Sequence, residues 1–333
     1  MKQLSIIIPV YNVEKYIRPC IDSVFHQELD ETCYEIVIVN DGTKDNSMKA
    51  IADIISEHTN IIVVNQNNQG LSMARNNGME IASGKYILFL DSDDLLATNS
   101  LSILLEHAIK SDADLVVANF HKMNDEEIIE YHKAHTQQRK SIVQEKRGLT
   151  LLIEDLNPRE CYVWRTLYKK SFLTGNHIRF IPGIYYEDIP FTHECYLKAG
   201  KCLRIDTTLY IYRIGHSSIT TRINKKTGTD FGTTIAKTWK LSLIEGLPLT
   251  VKQKIKDDVF VSFSTLLYGL IHEVPSKADR KHILNHIKQE EPNLYFSHGA
   301  KQKIVSLMYK IMPSIYIEAR VLYSKYISKQ VRY

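Results

Sequence analysis

Lys85 to Leu96 reads KYILFLDSDDLL. Five apolar or aromatic residues, Tyr86 to Leu90, run without a break into Asp91, Ser92, Asp93 and Asp94. A short, fully apolar run predicts a strand buried on both faces, as in the middle of a parallel sheet. In open α/β sheets ligands bind beyond the carboxyl ends of such strands, and here that end carries three carboxylates within four residues. Asp91 and Asp93 are two apart and offer a hard cation two oxygen ligands if the extended geometry continues. Taken alone, the same aspartates could start a turn and cap the next helix. An EF-hand loop fits poorly, because Leu96 stands where Gly is needed and Ser102 where Glu is needed.

Toward the N-terminus, strand and helix patterns alternate. Leu4 to Val10 (LSIIIPV) reads as a buried strand with Pro9 near its end, where a missing donor is tolerated. Ile17, Cys20, Ile21, Val24 and Phe25 recur at helical spacing, and Pro19 sets the start of that helix near Ile17 or Arg18. Glu35 to Val39 and Ile61 to Val64 read as further strands, with a helix marked by Met48, Ile51, Ile54 and Ile55 between them. Leu71, Ala74, Gly78, Ile81 and Ala82 make another helical face, with Gly84 expected as its cap. Beyond the quoted stretch come a helix at Leu101 to Ala108 and a strand at Leu115 to Ala118. This alternation predicts a parallel α/β sheet with right-handed crossovers.

Residues 121–150 are polar with no clear period and read as a solvated connection; a metal cluster of His121, His132 and His135 is disfavoured. Trp164, Tyr168, Tyr185, Tyr186 and Tyr212 lie in a mixed aromatic and polar segment, suited either to a sugar- or lipid-sized cleft or to ordinary packing. After about residue 230 the pattern is helical.

The 333 residues can bury one large core or two ordinary ones, and the 44% hydrophobic and 24% charged content is that of a globular protein. A net charge of +4 does not point to a nucleic-acid partner. Five cysteines form no CxxC pair, which suits a reducing compartment. Neither a signal peptide nor a membrane span is read, so a cytoplasmic location is expected. The charge is uneven: residues 301–333 hold seven Lys/Arg against one Glu. With apolar residues at helical spacing, that tail is expected to rest on the anionic inner membrane surface, or to pack on the catalytic domain or a second subunit.

Polar clusters stand at the ends of successive strands: Tyr11-Asn12, Asn40-Asp41-Gly42 and Asp91-Ser92-Asp93, with Asn68-Gln69-Gly70 and Arg75 between the last two. No GxGxxG follows the first strand and no GxxxxGK[ST] occurs, so the common dinucleotide and P-loop sites are disfavoured.

Together, IIIPVYNVEKYI (6–17), IVIVNDGTKDNS (36–47), NQGLSMARNNG (68–78), GKYILFLDSDD (84–94), VWRTLYKKSFL (163–173), YYEDIPF (185–191) and YRIGHSSIT (212–220) resemble family 2 glycosyltransferases. The resemblance covers about residues 3–222. It implies a GT-A fold, a Rossmann-like, mostly parallel sheet flanked by helices, over residues 1–225, with a helical C-terminal extension over 226–333. It implies that Pro9, Tyr11, Asp41, Asn68, Arg75, Asp91 and Ser92 serve the nucleotide-sugar donor, with a UDP-sugar expected, and that Asp93 ligates Mg²⁺ or Mn²⁺. Asp188 matches the family's base, with Glu187 and Trp164 on the acceptor side, and His216 is a candidate contact to diphosphate or metal. Inverting transfer to a glycan or lipid-linked glycan in cell-envelope polysaccharide synthesis is the expected activity. A non-catalytic sugar-nucleotide-binding protein and a sugar-phosphate nucleotidyltransferase are the alternatives.

Overall fold

The computed structural model describes residues 2–133, 141–215, 222–311 and 313–330. The chain divides into two compact units. The first takes Met1–Leu151, Tyr162–Gly183 and Cys195–His216; the second takes Leu152–Cys161, Ile184–Glu194 and Ser217–Tyr333.

In the first unit, β1 (Leu4–Val10), β2 (Tyr34–Asn40), β3 (Ile61–Asn65) and β4 (Tyr86–Phe89) pair in parallel in the order β3-β2-β1-β4. All seven residues of β1 are buried, because both faces are covered. Ile6, Ile8 and Val10 join Ile17, Cys20, Ile21 and Val24 of α1 (Ile17–Phe25) in the main core, while Ile7 packs against Gly78 of α3 (Leu71–Ile81), the helix that follows α2 (Ala52–Glu57). A strand covered on both sides has no solvent face on which polar residues would be favoured, hence the unbroken apolar run. Pro19 falls in the first turn of α1, as its spacing predicts.

Two features of α3 and the turn after it differ from the sequence expectation. Leu71 and Ile81 are exposed, and α3 instead buries Ser72, Arg75 and Asn76. Asn76 can be buried because it exchanges two hydrogen bonds with the backbone of Phe180, at 2.9 and 3.0 Å. Gly84 is not a left-handed cap. Its place is set by close approach, since a Cβ there would lie 2.5 Å from backbone atoms of Leu4 and Ser5.

The far half of the sheet is mixed. After β5 (Leu95–Leu96), α4 (Leu101–Ser111) and β6 (Leu115–Met123), the supposed connection holds α5 (Asp125–Lys133), β7 (Val143–Lys146) and the start of α6 (Gly148–Glu154). Next come β8 (Thr166–Lys169), α7 (Lys170–Gly175), α8 (Asp188–Lys198) and β9 (Cys202–Arg213). β8 runs antiparallel between β4 and β6, and β9 lies parallel to β6 while pairing antiparallel with β5 and β7.

The second unit is helical: α9 (Lys225–Leu241), α10 (Leu249–His272), α11 (Lys277–Glu290), α12 (Gly299–Ile311) and α13 (Pro313–Gln330), with the first residues of α8. Asn224 and Thr227 form a reciprocal capping box at the start of α9. Phe296 is ringed by Trp239, Phe260 and Phe263 at centroid distances of 5.1 to 5.5 Å. Among the described residues, no helix is long and apolar enough to cross a membrane.

Candidate active site

Because β1, β2 and β4 are parallel neighbours, the loops that follow them leave the same edge of the sheet. The loop after β1 is fastened to the loop after β2 by three successive amides. Asn12 N–H donates to Thr43 Oγ1 (2.8 Å), Val13 N–H to Ser47 Oγ (2.9 Å) and Glu14 N–H to Asp45 Oδ2 (3.0 Å). Asp45 also accepts from the hydroxyls of Thr43 and Ser47 and from the Ser47 amide. Burial acts to raise this carboxyl, but these donors outweigh it and hold it at about 2.

Asp41, buried at the end of β2, organises the next loop. Its Oδ1 accepts from Gln66 Nε2 and Gln69 N–H, both at 2.7 Å, and its Oδ2 from Gly70 N–H at 2.9 Å. A carboxylate has about four acceptor positions, so these donors leave room on Oδ2 for one more. Gly42 follows with φ +67°, and a Cβ there would stand 3.0 Å from the Asn68 amide nitrogen, so only glycine lets the two loops approach. Pro9 is buried beside this edge, Tyr11 is half-buried and Asn68 is exposed.

The carboxylate turn follows β4. Arg75, reaching from α3, binds Asp91 Oδ1 at 2.6 Å, and its guanidinium lies 5.2 Å from the Phe180 ring centre. Ser92 is buried and Asp93 half-buried. Asp94 is turned inward, where its oxygens accept from Arg213 N–H (2.7 Å) and Tyr210 O–H (2.8 Å). The same Tyr210 hydroxyl accepts from Asp91 N–H (3.2 Å), and Arg213 Nε–H donates to the Asp93 carbonyl (2.9 Å). Burial, then the charges of Asp93 and Asp91, push the Asp94 carboxyl well above its usual range.

With Asp94 turned inward, Asp91 and Asp93 are the carboxylates this turn presents, and an oxygen-only pair of this kind fits a hard cation. Among the described residues no group of three or more His, Cys, Asp or Glu could hold a metal ion. A cation at Asp93 would therefore complete its shell from substrate oxygens and water, the habit of Mg²⁺.

The Glu-Asp pair belongs to the second unit. Tyr186 has a left-handed backbone (φ 63°), a costly conformation for a bulky residue. It is held by α9: its ring stacks on Phe231 at 4.2 Å, Thr234 Oγ1–H donates to the Tyr185 and Tyr186 carbonyls (3.3 Å each), and Tyr185 N–H donates to Asp230 (3.2 Å). Glu187 is buried, and Asp188, half-buried, opens the first turn of α8, where the helix dipole favours a negative charge. One turn further on, buried His193 contacts the Ile189 carbonyl (2.8 Å) and Asp258 of α10 (3.2 Å), and Lys254 binds both Asp258 oxygens at 2.6 and 2.7 Å.

Trp164, expected on the acceptor side, is 3% exposed and belongs to the core of the first unit. Its ring is stacked between Tyr210 (3.9 Å) and Tyr162 (4.5 Å). Tyr168 is buried as well. His216 and His135 lie outside the described residues. Asp94, Tyr210 and Arg213 were not singled out from the sequence, although Asp94 adjoins the carboxylate pair and Arg213 lies in YRIGHSSIT.

The family described as "Glycosyl transferase family 2" matches residues 5–172. The uncharacterized glycosyltransferase EpsJ of Bacillus subtilis is 34% identical over 220 residues, 65% of this chain and 62% of that protein. The poly(ribitol-phosphate) beta-N-acetylglucosaminyltransferase TarP of Staphylococcus aureus is 27% identical over 247 residues, 72% of each. The chain thus spans under two thirds of EpsJ. In fold it is similar to S. aureus TarS 1-349 solved in complex with UDP, with a TM-score of 0.75 at 20% identity over 97% of this chain and 91% of that one.

Proposed function

The chain belongs to glycosyl transferase family 2, and we propose accordingly that it moves a sugar from a nucleoside-diphosphate donor to a hydroxyl of a glycan acceptor in cell-envelope polysaccharide assembly, inverting the anomeric carbon. The observation that carries this reading is the carboxylate turn beyond β4, with Arg75 seated on Asp91 at 2.6 Å. TarS, solved with UDP and with UDP-GlcNAc, supports a UDP-sugar as donor. The poly(ribitol-phosphate) transferases among the relatives support a hydroxyl-bearing polymer as acceptor.

In this reading Pro9, Tyr11 and Asp41 bound the nucleoside, the open position on Asp41 Oδ2 accepting from the base. Asn68 and Arg75 serve the base and diphosphate side, with Ser92 on the donor side between Asp91 and Asp93. Asp93, with Asp91 beside it, would hold Mg²⁺ or Mn²⁺, which when bound supplies Lewis-acid stabilisation of the leaving diphosphate. Asp188 takes the acceptor hydroxyl proton; the oxygen forms the new bond to the anomeric carbon, and the bond to the diphosphate breaks with its electron pair. Glu187, buried next to Asp188, orients the base. One base and one direct displacement give inversion.

The test is turnover on a panel of nucleotide sugars with Mn²⁺. Release of nucleoside diphosphate with a glycosylated acceptor supports the reading; pyrophosphate release, or binding without turnover, overturns it. Asp93→Asn should lower turnover by about 10²- to 10³-fold, as for loss of a main charge-stabilising group. EDTA should abolish activity, and added Mn²⁺ or Mg²⁺ should restore it.

A further inference from the structure

One surface of the second unit plays no part in the proposed catalysis. In α12, Ser306 and Tyr309 are buried: Ser306 bonds both backbone groups of Phe296, and the Tyr309 ring packs on Phe263 at 5.1 Å. On the other side of the same helix, Ile304, Leu307 and Ile311 recur at spacings of three and four and are 61%, 52% and 60% exposed. In α13, Ile317 and Val321 are buried, while Ile315, Leu322 and Tyr323 are exposed. Each helix therefore already has a packed face, and a second, apolar face is left over where polar residues are the rule.

The charges beside these rows share one sign. Lys303 and Lys310 are exposed next to the first row and Arg320 next to the second. Glu318, the sole acid of residues 301–333, is bound by Arg280 at 2.7 Å. We infer that the exposed rows of α12 and α13 rest on an anionic lipid bilayer surface, the apolar side chains entering the interface and the lysines meeting headgroups. A second copy of the chain is a poorer occupant, because it would bring the same positive charge against itself.

Flotation of the full chain with phosphatidylcholine vesicles, with and without phosphatidylglycerol, tests this. Binding is expected only with phosphatidylglycerol at low salt, with release as salt screens the charges. Leu307→Glu with Ile311→Glu, both at exposed positions, should keep the helical circular dichroism and lose flotation. Lys303→Ala and Lys310→Ala should each weaken binding by about fivefold. Three results overturn the inference: no flotation of the wild-type chain with phosphatidylglycerol at low salt, flotation unchanged in the double glutamate variant, or a wild-type oligomer that the glutamates dissociate and that does not float. The readout is vesicle binding, so failure here leaves the transferase reading standing.

Discussion

Replacing Tyr210 by Phe removes one oxygen from the support of the carboxylate turn. The ring stack on Trp164, 3.9 Å between centroids and 10° from parallel, is kept, so the apolar contribution of this buried residue is unchanged. Burial, followed by the charges of Asp94, Asp91 and Asp93, holds the hydroxyl well above its ordinary titration range, so it is protonated and donates. Its loss leaves Asp94 Oδ2 without a donor at 2.8 Å and the Asp91 amide without an acceptor at 3.2 Å. Each buried group left unpaired costs about 1–3 kcal/mol, so a loss of about 2–6 kcal/mol is expected for the two. In urea the unfolding midpoint should fall with an unchanged slope. Because the turn also carries Asp91 and Asp93, its loosening should lower turnover, by up to about a hundredfold for a shift near 1 Å. A Tyr210→Phe protein that unfolds at the wild-type urea concentration and turns over at the wild-type rate would refute the claim that this hydroxyl holds the turn.

Asp188→Asn should leave donor affinity near normal and reduce transfer by about 10²- to 10⁴-fold, measured by nucleotide titration beside turnover; Glu187→Gln should hurt less, and the reverse ranking would exchange their roles. Asp45, held at about 2 against a reference of 3.8, binds its proton more weakly folded than unfolded. Its stabilisation is therefore present above the unfolded value and lost as pH falls through about 4 to about 2. Acid titration of Asp45→Asn should show a shallower loss across that window, and identical slopes would contradict the assignment. Asp258→Ala strips the acceptor from buried His193 and from Lys254 together. Breaking such a buried pair should cost about 3–5 kcal/mol in chemical denaturation, and a change near zero would show that the clamp is not needed.

The near half of the sheet and the place of the carboxylates follow from local pattern alone. Short apolar runs such as LSIIIPV and YILFL, bounded by turn residues, read as strands covered on both faces, and alternation with helical patterns reads as a parallel sheet. Parallel strands deliver their C-terminal loops to one edge, so Asp41 and the Asp91-Asp93 pair were legible there before any coordinate. Partners that come from far along the chain were not legible in this way. β8 is inserted antiparallel between β4 and β6, and local pattern carries no information about which edge a short strand will join. Tyr210 meets Asp94 across 116 residues, and Arg213 meets Asp93 across 120. The α3 face was legible only in part for the same reason: Ala74, Gly78 and Ala82 are buried as expected. Its apolar Leu71 and Ile81 face solvent, while Arg75 and Asn76 are buried on Asp91 and Phe180. Periodicity records which residues avoid water, but a polar side chain whose partner lies elsewhere in the fold can be buried at low cost. Trp164 shows the converse: an aromatic residue in a polar segment reads as cleft or core alike until the rings stacked against it are known.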